Sequence, residues 1–314
     1  RIMNKSNIKE IHSCIGYFYN DNLKILSILA KRNKAILIAH EHGVDNFLNY
    51  FPSKENPNQY KGLNQLMVVD YYCAWGKGEI YDGYKGVEEK YKTKIINTGS
   101  VYLSKLNKWK KKSINKENFT ILYPSGPLRN FMASLEEMPP QKNFLHKRKI
   151  SYFLKNMLNK YPGMKILYKS FFETGLENDP LVDILSNQFS EGRIQICYDS
   201  PIDLIPKIDL VFFDMISTGF GEALNMEVPT LVYINKHNYL VASQYGKKIN
   251  KLFQRAKTLF YEEQEGEKAL DNILNNFKEY NKQLKEPRDI FIKELAFPVD
   301  KFKFKNNIIK MINE

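Results

Sequence analysis

Residues 208–234 constrain this chain more than any other stretch. An apolar run at 210–213 is stopped by Asp214, Ser217, Thr218 and Gly219 follow, and Phe220, Ala223, Leu224 and Met226 form one apolar face before Pro229 and the β-rich run 230–234. An unbroken apolar run bounded by turn residues is a strand buried on both faces. The segment between the two runs is then a short helix terminated by Pro229, and the whole is a parallel strand-loop-helix-strand unit. Its loop falls at the carboxyl edge of the sheet, where the unpaired N–H groups of a helix start suit a phosphate. Ser217, Thr218 and Gly219 are therefore candidate phosphate ligands. The same residues also serve a helix start that holds no ligand, with Glu222 reaching back to a backbone N–H.

The strand-helix alternation runs along the whole chain. Leu23, Leu26, Leu29 and Ala30 recur at helical spacing, and residues 35–39 form a strand that ends in His40, Glu41, His42 and Gly43, with Asp45 close behind. Residues 45–64 read as a long loop, 65–69 as the next strand, 77–91 as a helix, and Ile95 and Ile96 as a strand ending in Asn97, Thr98, Gly99 and Ser100. Residues 105–118, mostly Lys, Asn, Ser and Glu, are the expected linker. Beyond it strands are expected at 119–123, 164–168 and 193–197, a helix at 146–161, helical material over 241–253, an amphipathic stretch at 269–284, and helical material over 290–311 broken by Pro298. His146 and His237 read as surface or helix-face residues, and Trp75 and Trp109 as packing residues. The expectation is three segments: an N-terminal Rossmann-like domain with linker over 1–116, a second doubly wound domain of four or five parallel strands over 117–285, and a C-terminal helical segment over 286–314 that crosses back to the first.

Composition narrows the partners. Of 314 residues, 47 are Lys or Arg and 35 Asp or Glu, a formal charge of +12, but only seven are arginine. A nucleic-acid reader would lean on the bidentate arginine fork, so nucleic acid is not an expected partner. The excess is either a solvated lysine-rich surface or peripheral attachment to an anionic membrane face helped by Lys110, Lys111 and Lys112. Cys14, Cys73 and Cys197 lie far apart without CxxC spacing, which suggests neither a disulfide framework nor structural zinc. With no apolar run long enough to span a membrane, the expected location is the cytoplasm. Because the chain starts at Arg1 and shows few strands ahead of the linker, the first domain is expected to be incomplete.

Four segments carry a family resemblance. His42-Gly43 at a strand end resembles a Trp-His-Gly motif, with Glu41 in place of Trp. Residues 96–103 resemble a strand closing on a Gly, Pro, small-residue turn, with Ser100 in place of the proline. Residues 121–129 are similar to the opening strand of a donor-binding domain, where Arg129 follows the turn. Residues 209–229 resemble an acidic, Ser/Thr-containing, Glu-Ala-Leu segment that ends in proline. Together these resemble the GT-B nucleotide-sugar transferases, and more narrowly the bacterial surface-polysaccharide group that includes the CDP-glycerol glycerophosphotransferases of teichoic-acid type. One departure is Lys169-Ser170, where many relatives place histidine and proline.

The resemblance implies two Rossmann-like parallel-sheet domains facing a cleft and transfer of a glycosyl or glycerophosphoryl group from a nucleotide-activated donor to a glycan or lipid-linked acceptor. Such transfer needs a base for the acceptor hydroxyl and positive charge or N–H dipoles at the leaving phosphate. His42 is the base by the family match, His40 the reserve, and Asp45 could orient either ring. A structural pair or a metal-binding His-x-His also fits these histidines. Ser125, Gly126, Arg129, Lys169, Ser217, Thr218 and Gly219 are the donor-phosphate candidates, and Glu222 is a ribose ligand or a helix cap. No metal and no cofactor beyond the donor is required. A non-catalytic nucleotide-binding module is the alternative from another class.

Overall fold

The computed structural model describes residues 8–14, 20–43, 68–76, 92–110, 113–126, 128, 140–170, 179–236 and 244–313. Asp45, Arg129 and His237, the loop at 45–64 and the helix expected over 77–91 lie outside the described residues. The chain divides into two units: Arg1–Lys105 with Ser243–Tyr245 and Phe291–Glu314, and Leu106–Ala242 with Gly246–Ile290.

The first unit is built on four parallel strands in sequence order among the described residues: β1 (Glu10–Ser13), β2 (Ile36–His40), β3 (Tyr71–Ala74) and β4 (Lys94–Asn97). The period-two alternation of a strand sends Ile36, Ile38 and His40 to one face and Leu37 and Ala39 to the other. On the first face Ile38, Cys73 and Met311 form a buried cluster, joined by Ile36, Tyr71, Ile96, Ile308 and Ile312, so the helix Lys301–Asn313 covers that side. Of the strand expected at 65–69, residues 65–67 lie outside the described residues; the described strand begins at Tyr71. Just before it the Asp70 carboxylate turns back to accept the N–H of Leu37 at 2.9 Å and to meet Lys31 at 3.0 Å, fixing the strand entry. At the far end of β4, Ser100 caps the helix Val101–Ser104 through its hydroxyl and bridges to the returning segment, accepting from Val299 and donating to Phe297. Gly99 sits at φ +76, and a Cβ there would fall 2.9 Å from Val299, so this crossing needs glycine on two counts.

The second unit has six parallel strands among the described residues, in the order β10-β9-β8-β5-β6-β7: β5 (Phe119–Pro124), β6 (Met164–Lys169), β7 (Ile194–Ile196), β8 (Leu210–Phe213), β9 (Thr230–Tyr233) and β10 (Leu259–Phe260). Five of these, β5 to β9, fall where the sequence places strands. β10 was not expected, because two residues carry no periodicity. From β5 the chain winds outward through β6 and β7, then returns to β8 beside β5 and winds the other way. The order therefore reverses between β5 and β8, which makes their carboxyl ends the switch point where open α/β sheets bind ligands. The helix Pro140–Lys160 buries Ile150, Phe153, Leu154, Met157 and Leu158. The amphipathic stretch at 269–284 is two helices, Glu263–Asn275 and Phe277–Leu295, parted at Asn276. Trp109, in the expected linker, is buried in this unit and donates its indole N–H to Ile208 at 3.0 Å.

Candidate functional site

The carboxyl edge at the β5/β8 switch point is built on a buried ion pair. Asp214 ends β8, and Lys147, from the inner face of the helix Pro140–Lys160, places its ammonium on the Asp214 carboxylate; the side chains are only 4% and 5% exposed. The Tyr123 hydroxyl donates to Asp214 at 2.9 Å and accepts from Lys147 at 3.3 Å. Lys147 also donates to the Ser125 hydroxyl, and the N–H of Gly126 reaches both oxygens of Asp214 at 3.0 Å. Burial alone would push the Asp214 carboxyl up, but the Lys147 ammonium, with the Gly126 and Tyr123 donors, outweighs it and holds the carboxyl below its usual range. Tyr123 is driven the other way, by burial and by the carboxylate beside it. The cluster pins the turn after β5 to the end of β8. A Cβ on Gly126 would fall 2.8 Å from Met215 and 2.9 Å from the Asp214 carboxylate, so this turn has no room for a side chain.

Ser125 and Gly126 thus belong to this edge, and Lys169 adjoins them. Its strand neighbour is Pro124, its carbonyl accepts from the N–H of Ser125 at 2.9 Å, and its ammonium donates to the carbonyl of Tyr198 at 3.2 Å. After β8 the chain enters the helix Thr218–Met226 through Ser217, an N-cap residue in extended conformation whose hydroxyl makes no capping bond. Ser217, Thr218 and Gly219 stand half-buried at this helix start. With Ser217 as the cap, the glutamate position of a capping box falls on Phe220, so Glu222, which is buried, lies too far along to close that box. The helix ends before Pro229: Glu227 takes the left-handed conformation at φ 62, and its carboxylate meets Lys108 at 2.8 Å.

His40 and His42 belong to the other unit, at the end of β2. Between them Glu41 is buried and accepts the N–H of Trp75 at 2.5 Å, tying the end of β2 to that of β3. The His40 ring bonds His12 on β1 (2.9 Å between Nε2 and His12 Nδ1), the rings stack at 5.2 Å, and His12 Nε2 reaches Glu10 at 3.1 Å. Burial first, and His12 second, lower the His40 pKa to about 4. His42 is exposed. Among the described residues no group of three or more His, Cys, Asp or Glu side chains could hold a metal ion.

His146 is not a surface residue. It is buried against β9, donates Nε2–H to the carbonyl of Tyr233 at 3.1 Å, and burial lowers its pKa to about 4. A neutral buried imidazole sets a pH dependence. Above pH about 6.5 folded and unfolded chains bind the same protons at this site; between 6.5 and 4 only the unfolded chain takes one up. Stability is expected to fall by about 3 kcal/mol over that window from His146 alone. Denaturant titrations across the window should show this slope, reduced in His146→Gln.

Sequence reasoning missed Lys147, Tyr123 and His12. The signal for Lys147 was its place on the apolar stripe of Ile150, Phe153 and Leu154, an address a solvated lysine would not take.

The model of the LIC12162 family of transferases matches residues 1–303. The chain belongs to that family. No curated protein matches it. This LIC12162 family transferase is similar to the S. aureus MnaA–UDP complex (14% identity, 99% of this chain and 78% of that one, TM-score 0.59). It is also similar to a protein of Listeria monocytogenes assigned as a UDP-N-acetylglucosamine 2-epimerase (17%, 100% and 76%, TM-score 0.57). A third is UGT73P12 of Glycyrrhiza uralensis (9%, 99% and 76%, TM-score 0.50). At these identities the likeness is one of fold, and that fold is GT-B-like: two parallel-sheet α/β domains. Among the described residues no helix is long and apolar enough to cross a membrane.

Proposed function

We propose that this transferase moves a sugar from a nucleotide-activated donor onto a cell-surface polysaccharide or glycolipid precursor, at the cytoplasmic face of the membrane where a lipid-linked acceptor is met. The observation that supports it most is the strand-order reversal between β5 and β8, which brings the Ser125-Gly126 turn and the start of the helix Thr218–Met226 to one sheet edge. In this reading the donor diphosphate takes the N–H groups and hydroxyls of Ser217, Thr218 and Gly219, with Lys169 and Arg129 as counter-charges. Glu222 takes a ribose hydroxyl. Gly126 turns its N–H inward to Asp214, so it shapes the turn and leaves the phosphate to the helix start. His42 is the acceptor base, with His40 and Asp45 in support, and helix dipole and lysine carry the leaving phosphate without a metal. That the similar S. aureus MnaA was solved with UDP favours a nucleotide ligand.

The test is calorimetric titration of the chain with CMP, CDP, UDP, GDP and CDP-glycerol, with and without magnesium. One nucleotide is expected to saturate, and Glu222→Ala and Lys169→Ala are each expected to weaken it roughly tenfold through a lost charged hydrogen bond. Preference for CDP-glycerol would turn the reading to a glycerophosphotransferase, and binding without turnover to a non-catalytic module. If none of the five saturates, the donor site is misassigned. The fold shared with the Listeria monocytogenes protein favours a nucleotide-sugar epimerase as a second reading, which would convert the sugar with no acceptor present.

A further inference from the structure

The helix Lys301–Asn313 has one face committed and one face that nothing in its own packing explains. Inward, Ile308, Met311 and Ile312 pack on the first sheet and Phe304 lies against His40. With about 3.6 residues per turn, Phe302, Asn306 and Ile309 fall on one strip opposite that face, flanked by Lys305 on one side and Lys303 on the other. Phe302 is 74% exposed and Ile309 46%. Residues 301–313 hold four lysines and no acidic residue. The carboxylate of Asp300, just before the helix, accepts the N–H of Lys303 at 2.8 Å.

Single exposed apolar residues are ordinary on a protein surface. Two on one strip two turns apart, edged by lysines whose long stems let the charge reach sideways, are the composition of an interfacial contact with anionic lipid. We infer that this helix is the surface by which the protein attaches, peripherally and reversibly, to a membrane containing anionic lipid. Phe302 and Ile309 enter the boundary between headgroups and acyl chains, while Lys303 and Lys305 meet the lipid phosphates. A polyanion such as nucleic acid would use the lysines but leave Phe302 in water, and so fits the strip less well. Residues 301–313 are a membrane surface separate from the lysine run 110–112, of which only Lys110 is among the described residues. The inference rests on the proposed function for its choice of a membrane, but lipid binding needs neither nucleotide nor acceptor, so the two readings fail separately.

The test is co-sedimentation of the whole chain with vesicles of phosphatidylcholine alone and of phosphatidylcholine with phosphatidylglycerol, at low and high salt. Wild type is expected to pellet only with phosphatidylglycerol and to be released by salt. Lys303→Gln/Lys305→Gln should weaken binding roughly five-fold per lysine, and Phe302→Ser roughly tenfold. All three side chains are exposed, so unchanged unfolding midpoints check that the variants fold. Absence of phosphatidylglycerol-dependent binding by wild type overturns the inference. So does binding that Phe302→Ser leaves unchanged while heparin competes fully, which would make the helix a polyanion site.

Discussion

Lys147→Met is expected to destabilise the second unit by about 3–5 kcal/mol, because it leaves the Asp214 carboxylate buried without its counter-charge. Both side chains are almost wholly out of water, so neither can recover hydration when its partner goes. The pair as a whole is worth far less than either half is needed. Lys147→Met/Asp214→Leu should return most of the lost stability, since a buried ion pair replaced by apolar groups is often near neutral. The single variant also carries a pH signature. Without Lys147, burial dominates and pushes the Asp214 carboxyl up, so the deficit should shrink as pH falls and the group takes a proton. The two tryptophans let the measurement be assigned: Trp109 lies in the second unit and Trp75 in the first, so denaturant unfolding followed by fluorescence in a Trp75→Phe background reports the unit that holds the pair. A Lys147→Met midpoint indistinguishable from wild type would mean that Asp214 does not depend on Lys147 for its burial.

That pair also shows where the sequence stops being readable. β8 and β9 are legible because each is an apolar run too uniform for a surface strand, and β5 and β6 because they are short β-rich runs bounded by turn residues; from them follow the parallel sheet and the edge that carries Ser125, Lys169 and Ser217. Asp214 reads as no more than the residue that stops a strand, and Lys147 as one lysine among many in a basic chain. What joins them is a contact across 67 positions that no periodicity encodes. His146 is misread for a related reason: a polar residue beside an apolar stripe faces solvent unless a partner waits, and the waiting carbonyl belongs to Tyr233, on a strand brought there by topology. Asp70 is the converse case. It interrupts an apolar run, yet its carboxylate accepts the N–H of Leu37 and so fixes the entry to β3, a role across 33 positions that the run itself does not announce. Ser100 departs from the proline of the resembling motif, and its hydroxyl caps the helix Val101–Ser104, a bond proline could not supply.

His42→Ala is expected to lower transfer by about 10²–10⁴-fold, the usual contribution of a positioned general base, while leaving nucleotide affinity within a factor of about two. The contrast with His40→Ala carries the test. His40 Nε2 is engaged by His12, its ring lies against Phe304, and burial keeps it neutral near pH 7, so its loss should act through the setting of the strand end. His42 is exposed one step beyond Glu41, whose bond to the N–H of Trp75 holds that end in place. Glu41→Gln keeps the size of that side chain and removes its charge; if the carboxylate does position His42, this variant should lower kcat with the base still present. Rates would be measured with the donor nucleotide that calorimetry selects and a range of glycan and lipid-linked acceptors. An unaffected rate in His42→Ala would remove it as the base. A loss confined to His40→Ala would move the chemistry two residues inward along the strand, to the histidine bonded to His12 and through it to Glu10.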